Sequence, residues 1–429
     1  MTTIYALSSG APPAALAVVR ISGMSAGPAL RALAGRLPVP RRAGLVTLRD
    51  PADGEALDQA LVLWFPGPAS ATGEDLAELH LHGGRAVVAR VLSALAGIDG
   101  LLPAGPGDFT RRAFENGRID LAEAEGLSDL LFAETELQRR SALAVAGGAL
   151  SAQVSQWQDR LLMISAQVEA LLDFSDEDDV TGPEEGRLQN DAVALSREID
   201  DWLMRPSGER LRDGVRVALA GPPNAGKSTL LNALAGREAA IVSPRAGTTR
   251  DVIEVPLALA GRPFVLIDMA GLHEGTGDEI EAVGIERARQ VVAESDIILW
   301  LGDEATDPAF DSARTIRVHA RADLPGREIG VDDAVAVSAM EGSGLSTLVD
   351  ALIARADAML PRPGEIALNQ RQRDLLRECR SALGSAFSTD LLLLAESLRL
   401  ARMALDRLTG RAGTEQMLDA LFGRFCIGK

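Results

Sequence analysis

The segment GPPNAGKS at 221–228 constrains this chain more than any other, because it stands between the apolar run VRVALA and the helix-like TLLNALAG. Gly221 and Gly226 permit a tight loop whose backbone N–H groups converge on an anion. Lys227 can reach the β- and γ-phosphates of a nucleoside triphosphate, and the Ser228 hydroxyl can ligate Mg²⁺. The following helix adds its positive end to that field. Asn224 and Ala225 of the same loop, and Thr229 just after it, are read as part of the nucleotide site.

The surrounding pattern agrees with a nucleotide-binding α/β domain. VRVALAG, RPFVLIDMAG, SDIILWLG and DAVAVSA are strand-like runs separated by helical segments, which predicts a mainly parallel sheet with helical crossovers. In AGTTRD at 246–251, Thr249 can close over Mg²⁺ through its hydroxyl, with Thr248 and Arg250 beside it. In VLIDMAG at 265–271, Asp268 ends a strand and can hold metal-bound water. Met269 and Ala270 follow it, and the Gly271 N–H can sense the γ-phosphate. Loops of this kind are ordered by a triphosphate and released after hydrolysis.

Base selection departs from the usual Asn-Lys-x-Asp pattern. The matching residues are Ala320, Arg321, Ala322 and Asp323. Asp323 can accept hydrogen bonds from guanine N1 and N2, and the Arg321 stem can cover a base face. Ala320 cannot supply the asparagine contact, while Ser338, Ala339 and Met340 can offer backbone groups from a second loop. The expectation is guanine specificity with weakened affinity.

At 429 residues the chain has room for two or three domains. Its formal net charge of -18 repels a phosphate backbone, so a nucleic-acid substrate needs a local basic patch or a basic partner. Cys379 and Cys426 are the only cysteines and make neither a disulfide framework nor a thiolate metal site, which points to a reducing cytoplasm. The N-terminus lacks a charged segment followed by a long apolar block and reads as a mature start. Apolar runs such as LLLLA at 391–395 are too short to span a bilayer, so no membrane association is expected.

Residues 1–110 read as a compact α+β domain, with strands at 15–23 and 59–67, a helix at 84–97, and a helical turn after the breakers of 103–114. From about 120 to 212 apolar residues recur at three- and four-residue spacing, interrupted by the acidic stretch 173–186 before a helix at 187–204. Residues 368–424 return to helix. Two arrangements fit: one helical domain with the nucleotide domain inserted into it, or two separate helical domains.

VRISG at 19–23, TGEDLAELHLHGG at 72–84, PGDFTRRAFENGRIDLAEAE at 106–125, the phosphate loop, AGTTRD, DMAGLHE, GIERA at 284–288 and the terminal FCIGK at 425–429 occur in an ordered series. Together they resemble the MnmE (TrmE) family of tRNA wobble-uridine modification GTPases over nearly the whole length. The resemblance implies a multidomain α/β and helical fold: an N-terminal α+β folate-binding and homodimerisation domain at 1–115, a split helical-bundle domain at 116–212 and 362–429, and an inserted Ras-like P-loop GTPase domain at 213–361.

The same resemblance assigns Arg20, Glu78, Arg118 and Lys429 to a tetrahydrofolate derivative in its 5,10-methylene or 5-formyl form, with Arg118 standing where lysine is usual. Glu78 would bond the amino-pyrimidine portion. Cys426 matches the cysteine of the C-terminal CxGK motif and is implied in the modification chemistry. Hydrolysis of GTP would be activated by K⁺, held by Asn224, Ser243, Arg245 and Thr248 in a loop that includes Pro244, Ala246 and Gly247. Glu281 aligns with the water-positioning acid by its spacing to GIERA, with Glu279 the alternative because the intervening segment is one residue longer than the family pattern.

The implied function is GTP-driven modification of carbon 5 of the tRNA wobble uridine, giving carboxymethylaminomethyl- or aminomethyluridine. The implied partners are a second copy, tRNA, and an MnmG-type flavoprotein carrying FAD. Two other readings are a ribosome-assembly GTPase and a helical scaffold with a degraded nucleotide site. The first leaves the folate-like signatures and FCIGK unexplained, and the second is opposed by Lys227, Ser228, Thr249 and Asp268.

Overall fold

The computed structural model describes residues 2–173, 183–237, 253–269, 290–302, 311–324, 334–384, 390–411 and 415–429. The chain divides into two units, Met1–Ser128 with Asp406–Lys429, and Asp129–Leu405.

The first unit is built on β1 (Thr3–Leu7), β2 (Leu16–Ser22), α1 (Ala26–Ala34), β3 (Gly44–Arg49), β4 (Ala56–Phe65), β5 (Leu76–His82), α2 (Arg85–Ala96), β6 (Leu101–Pro103), α3 (Asp108–Glu115) and α4 (Leu121–Leu131). Its six strands lie in the order β3-β4-β5-β2-β1-β6, antiparallel except for β1 beside β6. Period-two alternation explains the two faces: Ala60, Val62 and Trp64 of β4 are buried, whereas Gln59 and Leu61 are exposed. Leu30 and Leu33 of α1 and Val91 and Leu95 of α2 join Val19, Leu79 and Leu81 in one core. The other face carries Arg20, Glu78 and His80, each partly exposed.

The end of the chain is part of this unit. A helix at Glu415–Phe422 ends at Phe422, which with Phe425 and Ala124 is buried against Phe114, Ile119 and Leu127. Ile427 then bridges to Pro106. The strands expected at 15–23 and 59–67 are β2 and β4, and the helix expected at 84–97 is α2. The sequence reading did not mark β1, β3 or β5. In β3 only Leu48 is fully buried, so its apolar alternation is weak.

The second unit contains α5 (Glu136–Ala146), α6 (Ala149–Asp173), α7 (Pro183–Leu203), α8 (Gly208–Asp213), β7 (Val215–Ala220), α9 (Lys227–Arg237), β8 (Ile253–Leu259), β9 (Arg262–Asp268), β10 (Ile297–Trp300), β11 (Thr315–Ala320), β12 (Val335–Val337), α10 (Leu345–Asp357), α11 (Gln370–Gly384) and most of α12 (Leu391–Thr409). The sheet order is β12-β11-β10-β7-β9-β8, parallel except where β8 meets β9. β7 is buried along nearly its whole length, as expected for a central parallel strand. Leu230 and Leu234 of α9 and Leu348 and Leu352 of α10 pack with its core.

Helices before and after this sheet meet. Arg373 of α11 donates to the carbonyls of Leu203 at 2.6 Å and Arg205 at 3.0 Å, and Arg380 pairs with Asp200 of α7 at 2.9 Å. Trp157 of α6 is fully buried and meets Trp202 of α7 edge-on, with ring centroids 5.4 Å apart. These contacts place the nucleotide sheet in a connection between packed helices. No described helix is long and apolar enough to cross a membrane.

Candidate functional site

The central strand β7 delivers the chain into the phosphate loop, and α9 begins at Lys227. Gly221 has φ +145°, and a Cβ there would stand 3.2 Å from the Leu301 backbone, so the loop requires glycine at this point. Asn224 takes φ +60°, a conformation that asparagine tolerates. Lys227 is buried and its Nζ donates to the carbonyls of Gly221 and Pro222, both at 3.0 Å. Burial lowers its pKa, and the charge of Asp268 partly offsets that effect. A phosphate arriving at the loop would offer this cation anionic acceptors in place of neutral carbonyls.

Asp268, at the end of β9, lies beside the first turn of α9. The Ser228 Oγ donates to its Oδ2 at 2.6 Å. A hydroxyl and a carboxylate at the mouth of a phosphate loop are hard oxygen donors of the kind Mg²⁺ accepts, directly or through water. Thr229 follows on the exposed side of α9, and Ala225 packs against the sheet core. Met269 is buried. Ser243, Pro244, Arg245, Ala246, Gly247, Thr248, Thr249, Ala270, Gly271, Glu279 and Glu281 lie outside the described residues.

The two base-reading segments are brought together. Ala320 ends β11, and the Ala322 N–H donates to the Val337 carbonyl at 3.2 Å. Ser338 is fully buried, and its hydrogen bond holds the exposed Asp323 carboxyl below its ordinary range, with the Arg321 charge adding to that effect. Arg321 reaches the phosphate loop: its Nε lies 3.7 Å from where a Cβ on Gly226 would stand. Ala339 follows Ser338, and Met340 is 82% exposed.

A separate cavity of about 360 Å³ lies in the first unit. Its apolar wall includes Leu76, Phe109, Ile119 and Leu127, and Thr72 and Thr110 add hydroxyls. Among the described residues lining it, the charged side chains are those of Arg20, Arg118 and Lys429, all cationic. Glu78 is not one of its walls. Arg20 Nε donates to Glu78 Oε1 at 2.8 Å, and His80 Nε2 meets Glu78 Oε2 at 3.2 Å. Burial pushes the Glu78 carboxyl up, but Arg20 and then His80 outweigh it and leave it below its ordinary range.

Lys429 reaches this cavity because the tail is held against β1. Gly428 has φ +93°, and a Cβ on it would stand 2.3 Å from the Leu7 carbonyl oxygen. The Lys429 N–H donates to the Cys426 carbonyl at 3.2 Å, so the exposed Cys426 lies one turn from the cavity lysine.

Residues 121–426 match the family model described as the MnmE helical domain, and residues 3–118 match that of the GTP-binding protein TrmE N-terminus. The chain belongs to the MnmE (TrmE) family. A tRNA modification GTPase MnmE from Rhizorhabdus wittichii is 60% identical, covering 100% of this chain and 96% of its own length. Proteins of the same name from Novosphingobium aromaticivorans and Erythrobacter litoralis are 57% and 58% identical, covering 100% of this chain and 99% and 100% of their own lengths.

In this MnmE-family chain the structure adds residues that the sequence reading did not single out. Arg112 pairs with Glu74 at 2.7 Å and donates to the Ser22 carbonyl at 3.1 Å, while Ser22 and Thr72 share a hydrogen bond of 2.7 Å. This buried network braces Thr72 in the cavity wall. His80 is the other addition, and the alternating ELHLH pattern carried its signal: residues two apart on a strand share a face.

Proposed function

We propose that this chain is a K⁺-activated GTP hydrolase that acts with an MnmG-type flavoprotein in 5-carboxymethylaminomethyl or aminomethyl modification of the tRNA wobble uridine. One observation carries the reading: Lys227, Ser228 and Asp268 converge in a phosphate loop within a chain 60% identical to a tRNA modification GTPase. Asp323, buttressed by Ser338, reads guanine, and Arg321 covers the loop side of the base.

Ser228 and Thr249 would hold Mg²⁺, with Asp268 on its water shell, and the metal supplies charge stabilisation to the phosphates. Asn224, Ser243, Arg245 and Thr248 are the proposed K⁺ ligands, Pro244, Ala246 and Gly247 complete that loop, and Met269, Ala270 and Gly271 form the γ-phosphate sensor. Glu281, with Glu279 the alternative, would orient the attacking water. Thr229, Ala225, Gly226, Ala339 and Met340 complete the nucleotide's surroundings.

Residues 1–115 form the folate-binding and homodimerisation domain of the proposal, 116–212 with 362–429 the split helical domain, and 213–361 the GTPase domain. The cation-lined cavity suits a tetrahydrofolate derivative, whose ring can lie on Phe109 and Leu127 while its polar and anionic groups meet Arg20, Arg118 and Lys429. Glu78 belongs to that site, and Cys426 supplies a thiol at its edge in the modification chemistry. FAD resides on the partner, tRNA is the substrate, and the complex is cytoplasmic.

The test is steady-state hydrolysis of GTP and ATP with Mg²⁺, in K⁺ and in Na⁺ at equal ionic strength. Preference for GTP with activation by K⁺ is expected. Equal use of ATP would remove Asp323 as the base reader, and equal rates in K⁺ and Na⁺ would remove the proposed cation site.

A further inference from the structure

Guanine offers acceptors at N7 and O6 and donors at N1 and N2. The asparagine amide of the usual base-reading loop serves the N7 side, and position 320 of this chain is alanine. Ala320 is in register with Val337 across β11 and β12 and is buried in the sheet core with Val318. Its methyl has no proton to give to N7. The Ala322 N–H, two residues on, is engaged by the Val337 carbonyl at 3.2 Å.

The opposite edge of the base keeps its reader. Ser338 Oγ accepts from the Glu341 N–H at 3.1 Å, which leaves its own proton for the Asp323 carboxylate. Bonds from the Ser338 N–H to the Ser343 carbonyl at 3.0 Å and from the Gly342 N–H to the Ser338 carbonyl at 2.9 Å close a turn that carries Ala339, whose N–H can meet O6. Arg321 stands between Asp323 and the phosphate loop. It takes φ +60°, and its Cγ and Nε lie 4.0 and 3.7 Å from where a Cβ on Gly226 would stand, so the side chain runs across the loop. With Asp323 holding the base by its edge, a guanidinium on that path meets the ring face, and every purine has such a face.

We propose that this chain reads guanine without its N7: selectivity resides in the N1, N2 and O6 edge, and Arg321 replaces the affinity of the missing amide by lying across the purine face. Guanine nucleotides altered at N7 are then bound like GDP itself. The inference rests on Asp323 as the guanine reader and divides the site into one residue for selectivity and one for affinity.

The experiment measures displacement of a fluorescent GDP from the full chain by GDP, by ADP, by IDP, which lacks the N2 amine, and by 7-deaza-GDP, in which a C–H replaces N7. GDP and 7-deaza-GDP should agree within about twofold, whereas a hydrogen bond to N7 would separate them by about three- to tenfold. IDP should bind at least about tenfold more weakly than GDP, the scale of a lost hydrogen bond to a carboxylate. Arg321→Ala should weaken GDP and 7-deaza-GDP by one common factor, about three- to thirtyfold, and leave the ratio of GDP to IDP unchanged. A collapse of the loop would instead move that ratio, because it would displace Asp323 as well.

Rejection of 7-deaza-GDP by the parent chain overturns the inference, and if Arg321→Ala abolishes that rejection the arginine is an edge reader at N7. Parent-like GDP affinity in Arg321→Ala, or a changed ratio of GDP to IDP, overturns the division between the two residues. Equal binding of GDP and ADP would mean that the guanine reading of Asp323 itself has failed. Strong preference for GDP over ADP together with rejection of 7-deaza-GDP would leave that reading standing and remove only the inference drawn from it.

Discussion

Gly428→Ala tests whether the terminal tail must be seated for the cavity to work. At φ +93° an alanine is strained by about 1–2 kcal/mol. Its Cβ would also stand 2.3 Å from the Leu7 oxygen and 2.7 Å from the Ser8 Cα, both backbone atoms that cannot rotate aside. Overpacking of this kind costs about 1–3 kcal/mol, so the seated tail loses about 2–5 kcal/mol in total. Each 1.4 kcal/mol is about tenfold, which lowers the equilibrium constant for seating by at least about 30-fold. The observable loss is smaller, because once Lys429 has left the cavity further strain has no effect on the ligand. Gly428→Ala should therefore weaken 5-formyltetrahydrofolate binding by about 10- to 100-fold, the scale of one charge-assisted contact. Calorimetry should give Lys429→Ala and Gly428→Ala similar affinities, with GTP hydrolysis retained as the folding control. Parent-like affinity in Gly428→Ala would refute the argument that tail seating delivers Lys429.

Ser228→Ala should raise the Mg²⁺ concentration needed for half-maximal GTP hydrolysis, and an unchanged metal titration would remove Ser228 from the metal site. Asp323→Ala should weaken GDP binding by about 10- to 100-fold and erase discrimination against ADP, measured with fluorescent nucleotides. Retained discrimination would mean that guanine is read elsewhere. Trp157→Ala removes a fully buried indole whose N–H donates to Glu198 at 3.1 Å, and should cost about 3–5 kcal/mol in urea unfolding. A loss below about 1 kcal/mol would contradict the packing of α6 on α7. Hydrogen bonds from Arg139 and Arg140 hold the Glu136 carboxyl down at about 2 from its ordinary 4.5. Its stabilising contribution is thus complete above about 4.5 and disappears as pH falls through about 2. The stability difference between the parent and Glu136→Gln should shrink over that interval, and a constant difference would exclude the carboxylate as its source.

The nucleotide site was readable because its information is local. One turn of backbone between β7 and α9 sets the positions of Gly221, Lys227 and Ser228, so the residue types and their spacing suffice. Strong alternation likewise exposed β2 and β4, while the weakly buried β3 left little pattern to read. The pairing of Asp323 with Ser338 was less accessible, because it depends on β11 and β12 being neighbours and on the turns that leave them. The tail was harder still: FCIGK marks a motif, but nothing local places Gly428 against Leu7 at the other end of the chain. Arg20, Glu78 and His80 combine both kinds of information. Alternation puts Glu78 and His80 on one strand face, but the register Arg20↔Glu78 decides that Oε1 is taken by arginine and Oε2 by histidine. The family resemblance therefore points to Glu78 as a folate residue, whereas strand register pairs its carboxylate with Arg20, the member of the pair that lines the cavity.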